Sequence, residues 1–186
     1  RRHDPGAAWK RLRRLLYPRA AAVVVQTERV RQGWALEFLA PEHVHVIPNP
    51  LRPLPKPRSG ESNDRMILAM GRLNTQKGFD LLLKAFARSR LQQAGWRLTI
   101  LGEGPERTRL EQLARELEVS NSVALPGVVH EPENYMRMGG IFVMSSRYEG
   151  FPNALLEAMG MGMAVVSFDC ESGPSELIRH GVNGLL

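Results

Sequence analysis

The chain has 186 residues, of which 43% are hydrophobic and 24% charged, a composition that favours a folded globular protein over a disordered one. Its longest wholly apolar run, Ala20 to Val25, is far shorter than the roughly 18 to 20 residues that a membrane-spanning helix needs. No signal peptide opens the chain. The single cysteine, Cys170, cannot form an internal disulfide. Together these features predict a soluble, cytoplasmic chain.

The net charge of +6 is concentrated at the start of the chain. Residues 1–20 carry seven cations against one aspartate, and the rest of the chain is balanced at 18 against 18. The main domain therefore lacks a basic surface for nucleic acid, and we expect no nucleic-acid partner. Trp9, Leu12 and Leu16 are spaced as on one face of a basic amphipathic helix. Such a helix either contacts an anionic membrane peripherally, at its inner face, or packs against protein.

The predicted elements begin with a β-α-β unit. A β-branched run at 21–26 and a second at 44–47 predict strands, and the pattern at 28–39 predicts a helix between them. Prolines then recur from Pro48 to Pro57, which indicates an extended linker.

These segments define the predicted domains. We assign residues 1–47 to the C-terminal remnant of a first domain, 48–64 to a proline-rich interdomain linker and 65–186 to a second domain. We expect both ends of the chain to lie inside a longer protein, so that the second domain is truncated at its C-terminus.

The second domain alternates strands and helices. Strands are predicted at 66–70, 97–101, 123–125, 141–145 and 164–168. Helices are predicted at 79–88, 106–117 and 154–161, with a shorter one near 134–138. This alternation predicts a doubly wound, Rossmann-like α/β domain with a mostly parallel sheet, whose ligands bind beyond the carboxyl ends of the strands.

The loop after the first of these strands is typical of a phosphate site. It contains Gly71, Arg72, Lys77 and Gly78 and leads into a helix. It differs from a Walker A loop because no Ser or Thr follows the lysine. The alternative interpretation is two solvated cations beside a turn.

The loop after the second strand, Gly102 to Pro105, resembles a nucleotide-binding turn less closely. Arg107 occupies the place of the third glycine of a dinucleotide fingerprint, which disfavours NAD binding. We predict a tight strand-to-helix turn with Pro105 at the first helical position.

Glu149 and Glu157 form the strongest pattern in the chain. They are eight positions apart, one in a loop and one inside a helix, and flank the amides of Asn153, Ala154 and Leu155. Amides left free at a helix N-terminus bind anions. Because carboxylates accept hydrogen bonds from hydroxyl groups, the pair predicts a sugar on one side of a phosphate and a ribose on the other.

The Glu149 to Glu157 spacing matches the E-x7-E motif of the retaining GT-B glycosyltransferases of family 4. Other segments resemble further landmarks of that family in the same order: Gly71–Gly78, Gly102–Pro105, Pro126–Val128 and Gly181–Leu186. Residues 44–186 are thus similar to the donor-binding domain of these enzymes. The resemblance implies a GT-B type α/β fold, with a β-α-β remnant of the acceptor-side domain at the start.

The resemblance also implies roles for individual residues. Arg72 and Lys77, next to Gly71, would bind the donor diphosphate, and Glu149 would bind the hydroxyls of the donor sugar. These three side chains would be the catalytic ones: Arg72, Lys77 and Glu149. Glu157 would bind the ribose.

Backbone amides would complete the donor site. Those of one loop would bind sugar and phosphate: Gly150, Phe151, Pro152, Asn153, Ala154 and Leu155. The backbone near Gly127 and Val128 would meet the base. Pro152 stands where many members of the family have glycine, which leaves the conformation of the loop open.

The implied activity is retaining transfer of a hexose-type sugar from a nucleotide-diphosphate sugar to a glycan or lipid-linked acceptor, in polysaccharide or lipopolysaccharide biosynthesis. UDP is the expected nucleotide because it is frequent in the family. No cofactor and no metal site are predicted, since the chain has no D-x-D pair and its histidines lack metal-ligand spacing. The chain alone is expected to be inactive in transfer.

Three alternatives remain. A GT-B-fold nucleotide-sugar epimerase or a phosphorylase-like enzyme would use the same fold. A non-catalytic module would bind a nucleotide sugar without turnover. An NAD-dependent enzyme is the third.

Overall fold

The computed structural model describes residues 6–35, 39–55 and 65–186. The chain forms two compact units, one ending at Pro50 and the other beginning at Leu51. This division falls inside the segment predicted as a linker, of which residues 56–64 lie outside the described part of the chain. No helix in the described ranges is long and apolar enough to cross a membrane.

The first unit has the predicted β-α-β order after an initial helix. Its elements are α1 (Gly6–Leu16), β1 (Val23–Val25), α2 (Glu28–Val30) and β2 (Val44–Val46). β1 and β2 pair in parallel. A small core of Val25, Leu39 and Val44 joins them. The hydroxyl of Thr27 caps α2 by accepting a hydrogen bond from the Val30 amide at 3.2 Å.

The helix predicted over 28–39 is shorter in the structure. Regular α-helix ends at Val30, and Arg31–Ala35 forms a wider π-type turn. Gly33 has a non-helical backbone there, with φ −79° and ψ −122°, because glycine has little preference for the helical conformation. Residues 36–38 of the predicted helix lie outside the described residues.

The second unit contains a five-stranded sheet whose strands all run parallel. Its strands are β3 (Met66–Met70), β4 (Arg97–Leu101), β5 (Val123–Gly127), β6 (Ile141–Met144) and β7 (Ala164–Ser167). Their spatial order is β5-β4-β3-β6-β7, so the chain builds outward from β3 first in one direction and then in the other. This order is that of a doubly wound sheet and confirms the predicted Rossmann-like fold.

Helices follow the strands of this sheet. They are α3 (Phe79–Ser89), α4 (Arg107–Glu116), α5 (Pro132–Met138), α6 (Asn153–Gly160) and α7 (Pro174–Leu177). The first four lie within two residues of their predicted bounds. The four-residue α7 was not predicted, because one turn is too short to show a helical period.

The placement of Pro105 at the first helical position was wrong. α4 begins at Arg107, and the two residues before it form a turn. The Glu106 amide donates to the carbonyl oxygen of Leu73 at 3.0 Å. The Glu106 carbonyl oxygen accepts the first helical hydrogen bond, from the Leu110 amide at 2.9 Å, so Glu106 is the N-cap of α4.

The sheet is buried on both faces, which explains the continuous apolar runs of its strands. In β3, Ile67 and Ala69 belong to one core cluster, together with residues of α3 and α4, and Leu68 belongs to the cluster on the opposite face. The fully buried Leu83 of α3 lies in the first cluster. Truncating a leucine in such a core to alanine costs about 2–5 kcal/mol.

The parallel strands place their following loops at one edge of the sheet. Backbone hydrogen bonds tie the first three of these loops together: Gly71 N–H to Leu101 O at 3.0 Å and Gly102 N–H to Gly127 O at 2.8 Å. A Cβ on Gly102 would lie 2.0 Å from the carbonyl oxygen of Gly71, so only glycine allows this approach. The loops form a fixed frame at the carboxyl ends of the strands.

Candidate active site

The loop that follows β3 positions Lys77 at this edge. Thr75–Lys77 forms a 3-10 turn, and the side-chain oxygen of Asn74 accepts a hydrogen bond from the Lys77 amide at 3.2 Å. Gly78 then adopts a left-handed backbone with φ 63°. A Cβ there would lie 2.1 Å from the carbonyl oxygen of Ser145, so both conformation and space require glycine. The turn therefore seats Lys77 directly against the loop after β6.

Lys77 and Glu149, both predicted site residues, are in direct contact. The Lys77 Nζ lies 2.6 Å from the Glu149 Oε1, and the Ser146 hydroxyl donates to the same oxygen at 2.6 Å. The side chains of Glu149 and Lys77 are only 7% and 21% exposed. Gly71 leaves room for the lysine, since a Cβ there would lie 2.8 Å from the Lys77 Cε. The sequence did not predict this ion pair.

Hydrogen bonds join the loops that carry the pair. The Arg147 amide donates to the Gln76 carbonyl oxygen at 2.8 Å, and the Gln76 side chain donates to the Tyr148 carbonyl oxygen at 3.1 Å. The Ser145 hydroxyl donates to the carbonyl oxygen of Lys77 at 2.9 Å. The position of Lys77 relative to Glu149 is therefore set by the backbone of both loops.

Arg147 also anchors this pair of loops to α3. Its two terminal nitrogens donate to the two carboxylate oxygens of Asp80 at 2.8 Å each. One of them also donates to the carbonyl oxygen of Thr75 at 2.8 Å. The hydrogen bonds from Arg147 hold the pKa of Asp80 below its ordinary value of 3.8. The same pairing raises the pKa of Arg147, so both groups stay charged.

The loop after β7 supports Glu149 from another side. The Ser172 hydroxyl donates to the carbonyl oxygen of Glu149. Gly173 lies against Pro152, where a Cβ would come within 2.5 Å of the proline Cδ. Cys170 is 8% exposed, and burial, followed by the negative charge of Glu149, raises the pKa of its thiol. The thiol is thus a small buried group.

The predicted anion site at the start of α6 needs a correction. The amide of Asn153 donates to the Phe151 carbonyl oxygen at 3.1 Å, and the amide of Leu155 to that of Pro152 at 3.0 Å. These two amides were predicted to be free and are not, because the first turn of the helix is tight. The side chain of Leu155 is fully buried in the core.

Other amides of the same segment make no hydrogen bond to any residue that the structure describes. Within the described part of the chain, these are the N–H groups of Gly150, Phe151 and Ala154. Pro152, which has no N–H, precedes the helix as its N-cap with φ −86° and ψ 76°. The segment thus offers three donors near the positive end of the helix dipole, and all three lie among the backbone amides that the family resemblance implies.

Glu157 lies one turn into α6, and its partner comes from a distant part of the sequence. Its Oε1 accepts a hydrogen bond from the Nε of Arg52 at 3.0 Å. Another nitrogen of the same guanidinium lies 2.7 Å from Glu133 Oε1. In the described ranges, no hydrogen bond joins Glu157 to the Lys77–Glu149 pair. The two glutamates of the motif therefore have separate surroundings.

Gly127 and Val128 lie at the end of β5, beside the loop after β4. Gly127 has a left-handed backbone with φ 90°, and Val128 is 75% exposed. Arg107 donates to Leu125 O at 3.0 Å and pairs with Glu103 at 2.8 Å. The bond from Arg107 lowers the pKa of Glu103. The Arg107 side chain thus binds the loop that precedes α4. This contact gives a structural reason for an arginine where a dinucleotide fingerprint has its third glycine.

Arg72, the second predicted cation, is accessible to solvent. Its side chain is exposed and has no hydrogen-bond or ion-pair partner among the described residues. The structure therefore brings Gly71, Lys77 and Glu149 together, whereas Arg72 follows Gly71 in the chain with an exposed side chain.

The matching family agrees with this geometry. The family model described as glycosyl transferases group 1 matches residues 54–186. The chain belongs to this glycosyltransferase family.

Two proteins similar to this chain are named as glycosyltransferases of amylovoran biosynthesis and of lipopolysaccharide. The chain is 31% identical over 180 residues to the amylovoran biosynthesis glycosyltransferase AmsD of Erwinia amylovora, covering 93% of this chain and 50% of that protein. It is 28% identical over 165 residues to the lipopolysaccharide 1,6-galactosyltransferase of Escherichia coli strain K12, covering 84% of this chain and 45% of that protein. The chain thus spans about half or less of the length of the curated relatives it matches.

Solved glycosyltransferase structures share the fold. A mutant of S. aureus TarM, in complex with Fondaparinux, alpha-GlcNAc-glycerol and UDP, superimposes with a TM-score of 0.83 at 25% identity. The match covers 90% of this chain and 34% of that one. This group 1 glycosyltransferase chain has the α/β fold of GT-B enzymes, as the sequence predicted.

Several residues of the site were missed by sequence reasoning. Ser146, Arg147 and Ser172 support the Lys77–Glu149 pair, and Arg52 holds Glu157. Ser146 and Arg147 lie within the motif segment, next to Glu149, which was a usable signal. Nothing in the sequence links Arg52 or Ser172 to the site, because their contacts cross long stretches of chain.

Proposed function

We propose that this chain supplies the donor side of a retaining family 4 glycosyltransferase that moves a hexose-type sugar from a UDP-sugar to a glycan or lipid-linked acceptor. The observation that carries the proposal is the contact of Lys77 with Glu149 at the carboxyl edge of the sheet. The residues that follow Glu149 include Gly150, Phe151 and Ala154, whose amides have no partner in the described part of the chain. A cation, a carboxylate and free amides in one place suit a sugar diphosphate.

In this proposal each group has one role. Arg72 and Lys77 bind the diphosphate, and the free loop amides bind phosphate and sugar. Glu149 accepts hydrogen bonds from the sugar hydroxyls, and Glu157 accepts them from the ribose. The backbone near Gly127 contacts the base. The roles rest on the family resemblance, and the separate surroundings of the two glutamates are consistent with them.

The Lys77–Glu149 pair is compatible with a bound diphosphate. A lysine ammonium has three N–H donors, and the contact at 2.6 Å uses one of them. The other two can bind phosphate oxygens while Glu149 still accepts from the sugar. The same contact fixes the orientation of the carboxylate beside the reacting sugar.

The mechanism we propose follows from the leaving group. Breaking the anomeric bond places negative charge on the nucleotide diphosphate, and preorganised positive groups stabilise such charge. Arg72, Lys77 and the start of α6 supply that charge without a metal. Metal independence and retention of configuration are both parts of the proposal.

The relatives support the choice of substrate. The S. aureus TarM mutant was solved in complex with UDP, and a galactosyltransferase of lipopolysaccharide is among the proteins similar to this chain. We therefore propose UDP as the nucleotide, a hexose as the sugar and a surface glycan or its lipid-linked precursor as the acceptor.

Calorimetric titration with UDP, GDP and ADP tests the donor site. Charge-assisted hydrogen bonds contribute about 1.5–3 kcal/mol each, so Arg72→Ala and Lys77→Ala should each weaken UDP binding about 10- to 150-fold. Arg88→Ala and Lys84→Ala, which remove exposed cations of α3, serve as matched controls. EDTA should leave UDP affinity unchanged. Unaltered affinity in both site variants would overturn the assignment.

Transfer itself should need more than this chain. Positioning an acceptor against the donor contributes roughly 7–11 kcal/mol to lowering a barrier, and in GT-B enzymes the acceptor lies in the cleft between two domains. We expect residues 1–186 to bind a nucleotide diphosphate weakly and to transfer no measurable sugar from a radiolabelled donor to cell-derived acceptors. Robust product would show that the acceptor site lies within this chain.

We also propose that α1 contacts an anionic membrane, at its cytoplasmic face. The helix has no buried residue, and Trp9, Leu12 and Leu16 are 59%, 43% and 53% exposed. Its charged residues are all cations, Lys10, Arg11, Arg13 and Arg14. An apolar stripe between basic residues suits an anionic lipid surface.

Vesicle sedimentation tests this contact. The chain should bind vesicles that contain phosphatidylglycerol and should not bind pure phosphatidylcholine. Replacing Trp9, Leu12 and Leu16 together by serine should abolish binding. Val182→Ser, which removes an equally exposed apolar side chain outside α1, should not. Equal binding to both kinds of vesicle would contradict the proposal.

A further inference from the structure

Arg52 contacts the second glutamate of the motif although it lies 105 positions earlier in the sequence. Its Nε donates to the Glu157 Oε1 at 3.0 Å, and its Nη2 lies 2.7 Å from the Glu133 Oε1. The guanidinium thus bridges one carboxylate of α5 and one of α6. Arg52 belongs to the same compact unit as both helices, which begins at Leu51.

The neighbours of Arg52 hold its segment against α6. A Cβ on Gly160 would lie 2.7 Å from the Leu51 Cδ2 and 2.9 Å from the Leu54 Cδ1, so both leucine side chains lie close against this glycine. Gly160 follows Glu157 by three positions and therefore lies on the same face of the helix. Because Gly160 has no side chain, the segment that contains Leu51 and Leu54 can pack closely on α6. Arg52 lies between these leucines in the chain and reaches the carboxylate of Glu157, one helical turn from Gly160.

The contact uses one oxygen of Glu157 and leaves the other accessible. Oε1 accepts from Arg52, whereas Oε2 has no hydrogen-bond partner among the described residues. The Glu157 side chain is 18% exposed, so a ligand can reach it. A carboxylate held by one oxygen has a defined orientation, and its second oxygen is available to accept hydrogen bonds from hydroxyl groups.

We propose that Arg52 is a positioning residue that orients the Glu157 carboxylate toward the ribose hydroxyls of the nucleotide donor. This inference rests on the proposed function, in which Glu157 binds the ribose. Arginine suits the task better than lysine. Its planar guanidinium reaches two carboxylates through separate nitrogens, whereas a lysine ammonium is a compact point charge.

Calorimetry with two ligands tests the inference. The ligands are UDP and a UDP analogue that lacks both ribose hydroxyls. Arg52→Ala should weaken UDP binding about three- to tenfold, in keeping with the modest contribution of half-exposed ion pairs. The same variant should bind the analogue as the unchanged chain does, within about twofold, because the analogue has no group for Glu157 to bind.

Further variants separate positioning from folding. Arg52→Lys, which keeps the charge, should recover part of the UDP affinity, and Arg52→Gln should behave like Arg52→Ala even if the alanine variant is unstable. Arg52→Ala should cause no further loss when added to Glu157→Gln, because both act on the same contact. Arg109→Ala removes another exposed arginine that is paired with a glutamate, and it should leave the affinity for both ligands unchanged.

The outcomes distinguish this inference from the proposed function. If the unchanged chain binds UDP but the Arg52 variants weaken UDP and the analogue equally, Arg52 has only a structural role and the inference is wrong. If the Arg52 variants bind UDP as tightly as the unchanged chain, the inference is also wrong, but the proposed function stands. If the unchanged chain does not bind UDP at all, the proposed function fails and the inference fails with it.

Discussion

Glu149 and Glu157 belong to one motif, yet the structure holds them in different ways. Glu149 is 7% exposed and is bound by Lys77 and Ser146, from two loops at the edge of the sheet. Glu157 is 18% exposed and is bound by Arg52, from the segment next to the boundary between the two units. The first carboxylate is thus fixed by loops that directly follow strands of the sheet. The second depends on a segment of chain that packs on a helix.

The largest effect should come from Glu149. Glu149→Gln keeps the shape of the side chain and removes its charge, so we expect sugar transfer by the intact protein to fall about 100-fold or more while UDP affinity changes by about threefold at most. Transfer of radiolabelled sugar and calorimetry with UDP measure the two quantities. Glu116→Gln, at an exposed position of α4, is the control. A loss of UDP affinity as large as the loss of transfer would remove the distinction between the two carboxylates.

Gly78 tests whether the loops around Glu149 form one rigid frame. Gly78→Ala would place a Cβ 2.1 Å from the Ser145 carbonyl oxygen in a left-handed backbone. We expect a loss of at least about 2 kcal/mol in the free energy of unfolding, measured by urea denaturation.

Gly181→Ala provides the matched control for this change. Gly181 is also left-handed, with φ 74°, but a Cβ there would meet nothing within 4 Å. Gly181→Ala should therefore lower the free energy of unfolding only by the backbone strain, about 1–2 kcal/mol. Equal losses in the two variants would mean that contact between the loops adds nothing.

A smaller effect is expected at Glu157. Glu157→Gln should weaken UDP binding about tenfold, because a charged acceptor of ribose hydroxyls is lost, and should leave the affinity for inorganic pyrophosphate unchanged. Calorimetry with both ligands checks this, with Glu116→Gln as the control. Loss of pyrophosphate binding would indicate that Glu157 supports the diphosphate site and does not act separately from Glu149.

The smallest effect should come from Asp80, which supports the Glu149 side through Arg147. Its folded-state pKa is lowered, so its ion pair stabilises the protein above pH 3.8 and loses this contribution as the pH falls through the lowered pKa. Asp80→Asn should cost up to about 1 kcal/mol near neutral pH, since the pair is partly exposed. Urea unfolding should show that this difference shrinks below pH 3.8. A difference that persists there would show that charge is not its cause.

Much of the second unit was predictable because its signals are local. The strands at Met66–Met70 and Arg97–Leu101 were predicted to the residue, since a buried parallel strand is a continuous apolar run. The E-x7-E spacing likewise lies within one loop and one helix. The helix after β1 was predicted too long because its apolar pattern continues past Gly33, where the backbone departs from the helix.

By itself, the sequence determined the order of strands and helices, the family and the identity of the two motif carboxylates, all of which depend on residues close together in the chain. Only the tertiary structure decided which groups meet. It paired Lys77 with Glu149 and Arg52 with Glu157, and it left the amides of Gly150, Phe151 and Ala154 free within the described chain. The two ion pairs depend on packing between segments that are distant in the sequence. The free amides depend on the geometry of a single helical turn. Neither feature leaves a periodic pattern or a fixed residue spacing in the sequence.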